Sequence, residues 1–373
     1  MKKNERLGQV LDIAIKAGAS DIHLTNKIPP ALRVDGKLTK LTKLKVNDPE
    51  ILEEFARDLI GNEEEYEIYL REKEYDFSVS YSSVRFRAHV YKENRVDSIS
   101  LRLIPKTVPR IEEMNLPPVL KKLANSKSGL ILITGVTGSG KSTTLAAMID
   151  EINRTQSKKI LTLEDPVEFV HEHKNSIINQ REIGTDALSF ANGVRAALRE
   201  DPDIILIGEM RDLETIQNAV TLAETGHLVL GTLHTKSVAE TVDRIIDTFP
   251  ANQQAQIRMQ VANSIEAIVC QELIPKARKQ PGRVPRLEIM VADDAARSII
   301  REGQNPSALI DQMQNTSKTL GSQTKIQALA RLIAEEKIDF QDGIKGLKLE
   351  EADLLKRTVV AFSKAQEKVR GGQ

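Results

Sequence analysis

Two periods alternate along the first hundred residues. Residues 5 to 17 place apolar side chains at helical spacing and stop at Gly18, which predicts an amphipathic helix. DIHL and ALRV follow as short strand-like runs, with a turn at Asp35-Gly36. Residues 48 to 60 return to helical spacing. YDFSVSY then alternates, with Phe77, Val79 and Tyr81 on one face and Asp76, Ser78 and Ser80 on the other. VRFRAHVYK and VDSISLRLI keep the same period of two. The pattern predicts a small α+β domain with an antiparallel sheet over residues 1–104.

Residues 105–128 hold four prolines and predict a linker carrying a short helix. From Gly129 the pattern becomes apolar strand, loop and amphipathic helix, repeated, which predicts a parallel sheet flanked by helices, an α/β core over 129–290. Past residue 250 the strand signal fades and helices dominate, giving a helical region over 291–373. PKARKQPGRVPR, 275–286, reads as a basic exposed loop, and the tail past 365 as frayed. No internal repeat stands out.

Composition narrows the classes. Lys plus Arg and Asp plus Glu each number 53, so no global basic field points to nucleic acid or an anionic membrane. Aromatics are 3% with no Trp, which argues against a base-stacking platform. The single cysteine, Cys270, can form neither an internal disulfide nor a tetracysteine zinc site, and Ile268, Val269 and Leu273 around it predict a buried apolar role. Asp12 and Lys16 interrupt the N-terminal apolar positions, so that segment is not a signal-peptide core. No run of eighteen apolar residues predicts a membrane span. The expectation is a soluble, cytoplasmic protein.

One stretch carries specific chemistry. In GVTGSGKST, 135–143, Gly135, Gly140, Lys141 and Ser142 fit the phosphate-loop spacing, with Thr137, Gly138, Ser139 and Thr143 completing it. An apolar strand, GLILIT, precedes it and an amphipathic helix follows. Glycines let backbone N–H groups curl around phosphate oxygens, and a helix N-terminus adds partial positive charge. Lys141 would reach the β- and γ-phosphates and Ser142 would hold Mg2+. No guanine-reading N-K-x-D stretch follows, which points to ATP.

Three further predicted strands end in polar residues: KILTLEDP at Glu164 and Asp165, DIILIGEMRD at Glu209 and Arg211, and GHLVLGTLHT at Thr232, His234 and Thr235. Open α/β sheets bind ligands at the carboxyl ends of their strands. A carboxylate there can hold magnesium's water shell or orient an attacking water. Glu209 takes the station after an apolar run, Glu164 is a second carboxylate, and His234 could sense the γ-phosphate. Read alone, His227 caps a helix ending near Thr225, and His171 and His173 sit in a solvated loop rather than a metal site.

Together, GVTGSGKSTT, LTLEDPVEFVH, ALREDPDIILIGEMRDLET and AETGHLVLGTLHT resemble the type IV pilus retraction (twitching motility) ATPases of the secretion ATPase superfamily. GASDIHL and RFRAHVYKENRVDSISLRLIP fit that family's N-terminal domain. The resemblance implies a RecA-like P-loop domain, a preceding PAS-like α+β domain and C-terminal helices. It implies a homohexamer in which ATP and Mg2+ lie between domains, cytoplasmic at the inner face of the cell membrane. Contact with the membrane would run through an inner-membrane platform protein, with no nucleic acid. By motif, Glu164 lies in the acidic box, Glu209 in the Walker B box, and His227 and His234 in the histidine box; Glu209 is the favoured base. Arg87 and Arg102 resemble the phosphate-reaching arginines of the N-domain, with Arg195 and Arg199 weaker candidates. AARSIIRE, 295–302, resembles the stretch that marks retraction members, with Ala296 and Ser298 departing from it. Alternatives are an assembly or type II secretion ATPase of the same superfamily, or a nucleotide-sensing ring adaptor with little turnover.

Overall fold

The computed structural model describes residues 4–370 apart from 35, 83, 105, 106, 281 and 304. Asp35 of the predicted turn and the first two residues of the predicted linker therefore lie outside the described residues. The chain divides into two compact units, residues 1–107 with 168–170, and residues 108–167 with 171–373.

The first unit runs α1 (Glu5–Lys16), β1 (Asp21–Leu24), β2 (Ala31–Val34), β3 (Lys37–Lys40), α2 (Pro49–Ile60), α3 (Glu63–Glu72), β4 (Glu74–Tyr81), β5 (Val84–Glu93) and β6 (Val96–Ile104). Its six strands form an antiparallel sheet in the order β3-β2-β1-β6-β5-β4. The start and stop of α2 follow from its sequence. Asp48 accepts from the Ile51 N–H at 2.9 Å, Pro49 opens the helix, and Gly61 ends it at φ 69°. Leu52, Phe55, Ala56 and Leu59 of α2 pack with Leu7 and Leu11 of α1 and with Ile22, Phe86 and Leu101 of the sheet. Full burial of Phe55 alone contributes about 1.5–3 kcal/mol. The short elements α3 and β3 were not among the predicted ones.

The second unit runs α4 (Val119–Ala124), β7 (Gly129–Thr134), α5 (Lys141–Thr155), β8 (Lys159–Glu164), β9 (Ile177–Glu182), α6 (Phe190–Ala197), β10 (Ile204–Ile207), α7 (Leu213–Glu224), β11 (Leu228–Leu233), α8 (Val238–Asp247), α9 (Ala251–Ser264), β12 (Ile265–Pro275) and β13 (Arg283–Val291). Five helices follow: α10 (Asp294–Glu302), α11 (Pro306–Asn315), α12 (Lys325–Ala334), α13 (Phe340–Gly343) and α14 (Leu349–Arg370). The seven-stranded sheet has the order β13-β12-β7-β11-β10-β8-β9, parallel except for β13, which runs antiparallel to β12.

The central strand β7 is buried on both faces, as its unbroken apolar run requires. Leu130 and Leu132 join one core, with α7, α8 and α9, while Ile131 and Ile133 join the other, with α4 and α5. Three expectations change here. The strands do not fade past 250, because β12 and β13 are the longest pair in this sheet. The 275–286 stretch is a hairpin connection whose second arm enters the sheet, so Val284 and Arg286 are buried. The predicted linker packs: Ile111, Leu116, Val119, Leu120 and Leu123 belong to the α5-side core. Residues 366–370, expected to fray, continue α14. Among the described residues no helix is long and apolar enough to cross a membrane.

Candidate active site

The phosphate loop joins β7 to α5. Gly135 has φ 142° and Gly140 φ 86°, backbone that L side chains rarely adopt. Space is as restrictive as conformation. A Cβ at Gly135 would lie 2.2 Å from the Gln271 carbonyl oxygen, and one at Gly140 would lie 2.9 Å from Gln271 Nε2. Only glycine fits at either place. Helix α5 starts at Lys141, so the first-turn N–H groups of Lys141, Ser142 and Thr143 have no intrahelical acceptor. Thr137 and Gly138 are exposed at the loop tip, while Ser139 is buried with its Oγ lacking a hydrogen-bond partner. Lys141 Nζ donates to the Gly135 carbonyl at 2.8 Å, folded over its own loop. A glycine cradle at a helix N-terminus, with a cation at its mouth, fits a polyphosphate.

Two neighbouring parallel strands bring the next pair together. β10 and β11 run in register, Ile207 opposite Gly231, so the residues just past their ends meet. His234 Nε2 lies 2.9 Å from Glu209 Oε1. Arg211 also contacts Glu209, and the hydrogen bond and charge of that carboxylate hold the guanidinium above its ordinary value. Glu209 is 18% exposed, close to water yet held. Thr232 Oγ1 donates to the Gly208 carbonyl, fixing the backbone that carries Glu209. One strand further out, Glu164 ends β8 and accepts from Thr162 Oγ1 at 2.7 Å and from Gln180 Nε2 at 3.1 Å. Loop, Glu164, Glu209 and His234 thus share one edge of the sheet.

His227 does not join that edge. It precedes β11, and its carbonyl accepts from the Gly129 N–H at the start of β7. The strand separates it from His234 by roughly 20 Å at about 3.3 Å per residue. Its Nδ1 donates to the Leu222 carbonyl at 3.1 Å, capping α7. His227 and His234, grouped in the histidine box by motif, thus stand at opposite ends of β11. Arg195 pairs with Glu214, and Arg199, in the turn just past α6, is exposed.

Sequence reasoning passed over Gln271. It lies in β12, is 2% exposed, donates from Nε2 to the Ser139 carbonyl at 2.7 Å and accepts from Thr144 Oγ1 at 2.7 Å. The signal was available: an amide interrupts the apolar run of IEAIVCQELIP. Its neighbour Cys270 is buried, and burial pushes its thiol up to about 11. His171 is driven down to about 4, chiefly by burial, and His173 Nδ1 accepts from the Ile178 N–H at 3.1 Å. Among the described residues no group of three or more His, Cys, Asp and Glu could hold a metal ion.

A family model described as type II/IV secretion system protein matches residues 3–340. The chain belongs to that family. It is 42% identical to the type IV pilus retraction ATPase PilT of Pseudomonas aeruginosa over 92% of this chain and 98% of that one. It is 46% identical to a twitching motility protein of Neisseria gonorrhoeae, over 82% and 81% of the two chains. The solved structure of the pilus retraction motor PilT with bound ADP superposes with a TM-score of 0.85 at 42% identity, covering 92% of this chain and 98% of that one.

Two further regions of this secretion-family chain carry the remaining candidate residues. In the first unit, Arg87 of β5 and Arg102 of β6 stand directly opposite each other. Arg102 in turn faces Asp21 of β1, which faces Arg33 of β2, so three arginines and one aspartate form a row across the sheet. Arg102 Nε donates to Asp21 Oδ1 at 2.8 Å while its side chain stays 69% exposed. Burial pushes the Asp21 carboxyl up, but hydrogen bonds from Arg102 and Ser20 outweigh it and hold the group below its ordinary value. In the second unit, AARSIIRE lies on α10. Ala296 and Ile300 are buried, and Arg297 Nη1 donates to the Ala262 and Asn263 carbonyls at 3.1 and 2.8 Å. Arg297 also pairs with Glu266 at 2.6 Å, so it caps the end of α9.

Proposed function

We propose that this protein is an ATP-hydrolysing motor that drives type IV pilus retraction. The observation that carries the reading is the convergence of the phosphate loop, Glu209 and His234 on one sheet edge, in a chain of this family. Gly135, Thr137, Gly138, Ser139, Gly140, Lys141, Ser142 and Thr143 form the cradle for the nucleotide's phosphates. Ser142 would hold the magnesium ion that arrives with ATP, and the ion would supply positive charge against the phosphates.

Glu209 accepts the proton of the attacking water as it approaches the γ-phosphate, and His234 keeps that carboxylate oriented. Glu164, held by Thr162 and Gln180, supports the same water from the neighbouring strand. Charge accumulating on the transferred group calls for cations that close around it. Arg87 and Arg102 supply them from the first unit of an adjacent subunit, and release from Asp21 frees Arg102 to do so. Hydrolysis then depends on assembly, in a homohexamer. The ring works in the cytoplasm at the inner face of the cell membrane, against an inner-membrane platform protein, and binds no nucleic acid.

The test is genetic and biochemical together. A strain lacking this protein should carry abundant surface pili that no longer retract, and Lys141→Ala should fail to restore movement. Bald cells would show instead that the protein assembles pili.

A further inference from the structure

Among the described residues, Gln271 is the one buried side-chain amide seen to touch both the phosphate loop and the helix behind it, and no part of the proposed chemistry uses it. We propose that Gln271 is a positioning residue that sets the orientation of the phosphate cradle. This rests on the nucleotide reading above and goes beyond it by assigning the loop's geometry to a different strand.

Both ends of the amide are committed. Oε1 accepts from Thr144 Oγ1 at 2.7 Å, and Nε2 donates to the Ser139 carbonyl at 2.7 Å. The hydroxyl can satisfy Oε1 and the carbonyl can only accept, so the amide has one orientation. A trans peptide points its C=O and the following N–H in opposite directions. Holding the Ser139 carbonyl against β12 therefore turns the Gly140 N–H away from the Gln271 amide. Thr144 lies one turn into α5 and is fully buried, so the same amide also ties the helix N-terminus to the loop. Gly135 and Gly140 leave no room for a side chain against this residue: an added Cβ would meet its carbonyl oxygen at the first and its Nε2 at the second. Gln271 thus holds the loop at Ser139 and the first turn of α5 at Thr144.

Substitution separates positioning from packing. Gln271→Glu keeps the size but replaces the donor with an acceptor facing the Ser139 carbonyl. Gln271→Met keeps the volume and leaves the Thr144 hydroxyl unpaired. Gln271→Met with Thr144→Val removes both polar ends, so no buried hydroxyl is orphaned. The full-length chains are titrated with ADP calorimetrically, followed by thermal melting and steady-state ATP hydrolysis.

Gln271→Glu and Gln271→Met should each weaken ADP binding and raise KM for ATP by about tenfold or more, equivalent to about 1.4 kcal/mol. The double variant should melt closer to wild type than Gln271→Met does, yet keep the weakened ADP binding. The inference is overturned if either single variant binds ADP within about twofold of wild type. It is also overturned if the double variant recovers affinity along with melting temperature, which is the behaviour of a packing residue. A wild-type chain that binds no ADP would overturn the nucleotide reading itself, and this inference with it.

Discussion

Alanine at Gly140 should damage the loop more than alanine at Gly138, and the difference is set by one side chain. Gly138 has φ 76° and Gly140 φ 86°, so either alanine is forced into left-handed backbone at about 1–2 kcal/mol. At Gly138 a Cβ meets nothing within 4 Å. At Gly140 it would come to 2.9 Å from Gln271 Nε2. That amide cannot withdraw without stretching its 2.7 Å bonds to Ser139 and Thr144. A buried hydrogen bond left broken costs about 1–3 kcal/mol more. Gly138→Ala should thus lose about 1–2 kcal/mol and Gly140→Ala about 2–5 kcal/mol. Urea denaturation of each variant, in the wild-type and in a Gln271→Ala background, reads the difference. The gap should close when Gln271 is truncated, because the obstruction is gone. An equal gap in both backgrounds would refute the reasoning, and so would a Gly138→Ala variant that is the weaker of the two.

Other outcomes follow from single groups. Cys270, buried with its thiol raised to about 11, should resist iodoacetamide at pH 8 in the native protein and react only after denaturation; rapid native labelling would contradict its burial. His171 has its pKa lowered from 6.5 to about 4, so the unfolded chain takes up the proton first as pH falls between those values, and stability drops in that window. At pH 5 this amounts to about 2 kcal/mol, which His171→Gln should remove from the difference between urea midpoints at pH 7 and pH 5. An unchanged difference would mean the ring is not held neutral. Arg102→Ala should reduce hydrolysis by roughly 10³–10⁵ with little effect on ADP binding, since an arginine acting on transition-state charge has that worth. A mild loss would place Arg102 outside the reaction. Arg297→Ala should destabilise the α9–α10 junction by about 1–3 kcal/mol, with Arg297→Lys unable to restore it, because a lysine cannot reach two carbonyls and Glu266 at once.

The sequence was most legible where one physical rule acts alone. In β4, in β5 and from Ile99 onward in β6, apolar side chains alternate with polar ones, and alternation is readable. β7, β8, β10 and β11 are buried on both faces, and the glycine loop and acidic ends punctuated their apolar runs. β12 follows α9 with little more than a change of residue type, so its apolar run looked like more helix. α3 is too acidic to show a clear apolar stripe, and it is held instead by Tyr66 and Tyr69. Arg286 read as solvated because its segment is basic, yet the β13 register carries it inward.

At the site, Glu164, Glu209 and His234 were legible through the strand-end rule. The same rule places His227 at the beginning of its strand, where the motif resemblance had grouped it with His234. Gln271 was illegible as a site residue because its partners are 127 and 132 positions away, and only the sheet order β12-β7 makes them neighbours.

The most direct test of the account is magnesium-dependent ATP turnover by the assembled full-length protein, beside Glu209→Gln in the same preparation. The account predicts that the wild type hydrolyses ATP, while Glu209→Gln binds ATP with comparable affinity and turns it over at least about a hundredfold more slowly. Wild-type protein that binds ATP without hydrolysing it, or a Glu209→Gln variant that hydrolyses at the wild-type rate, would contradict it.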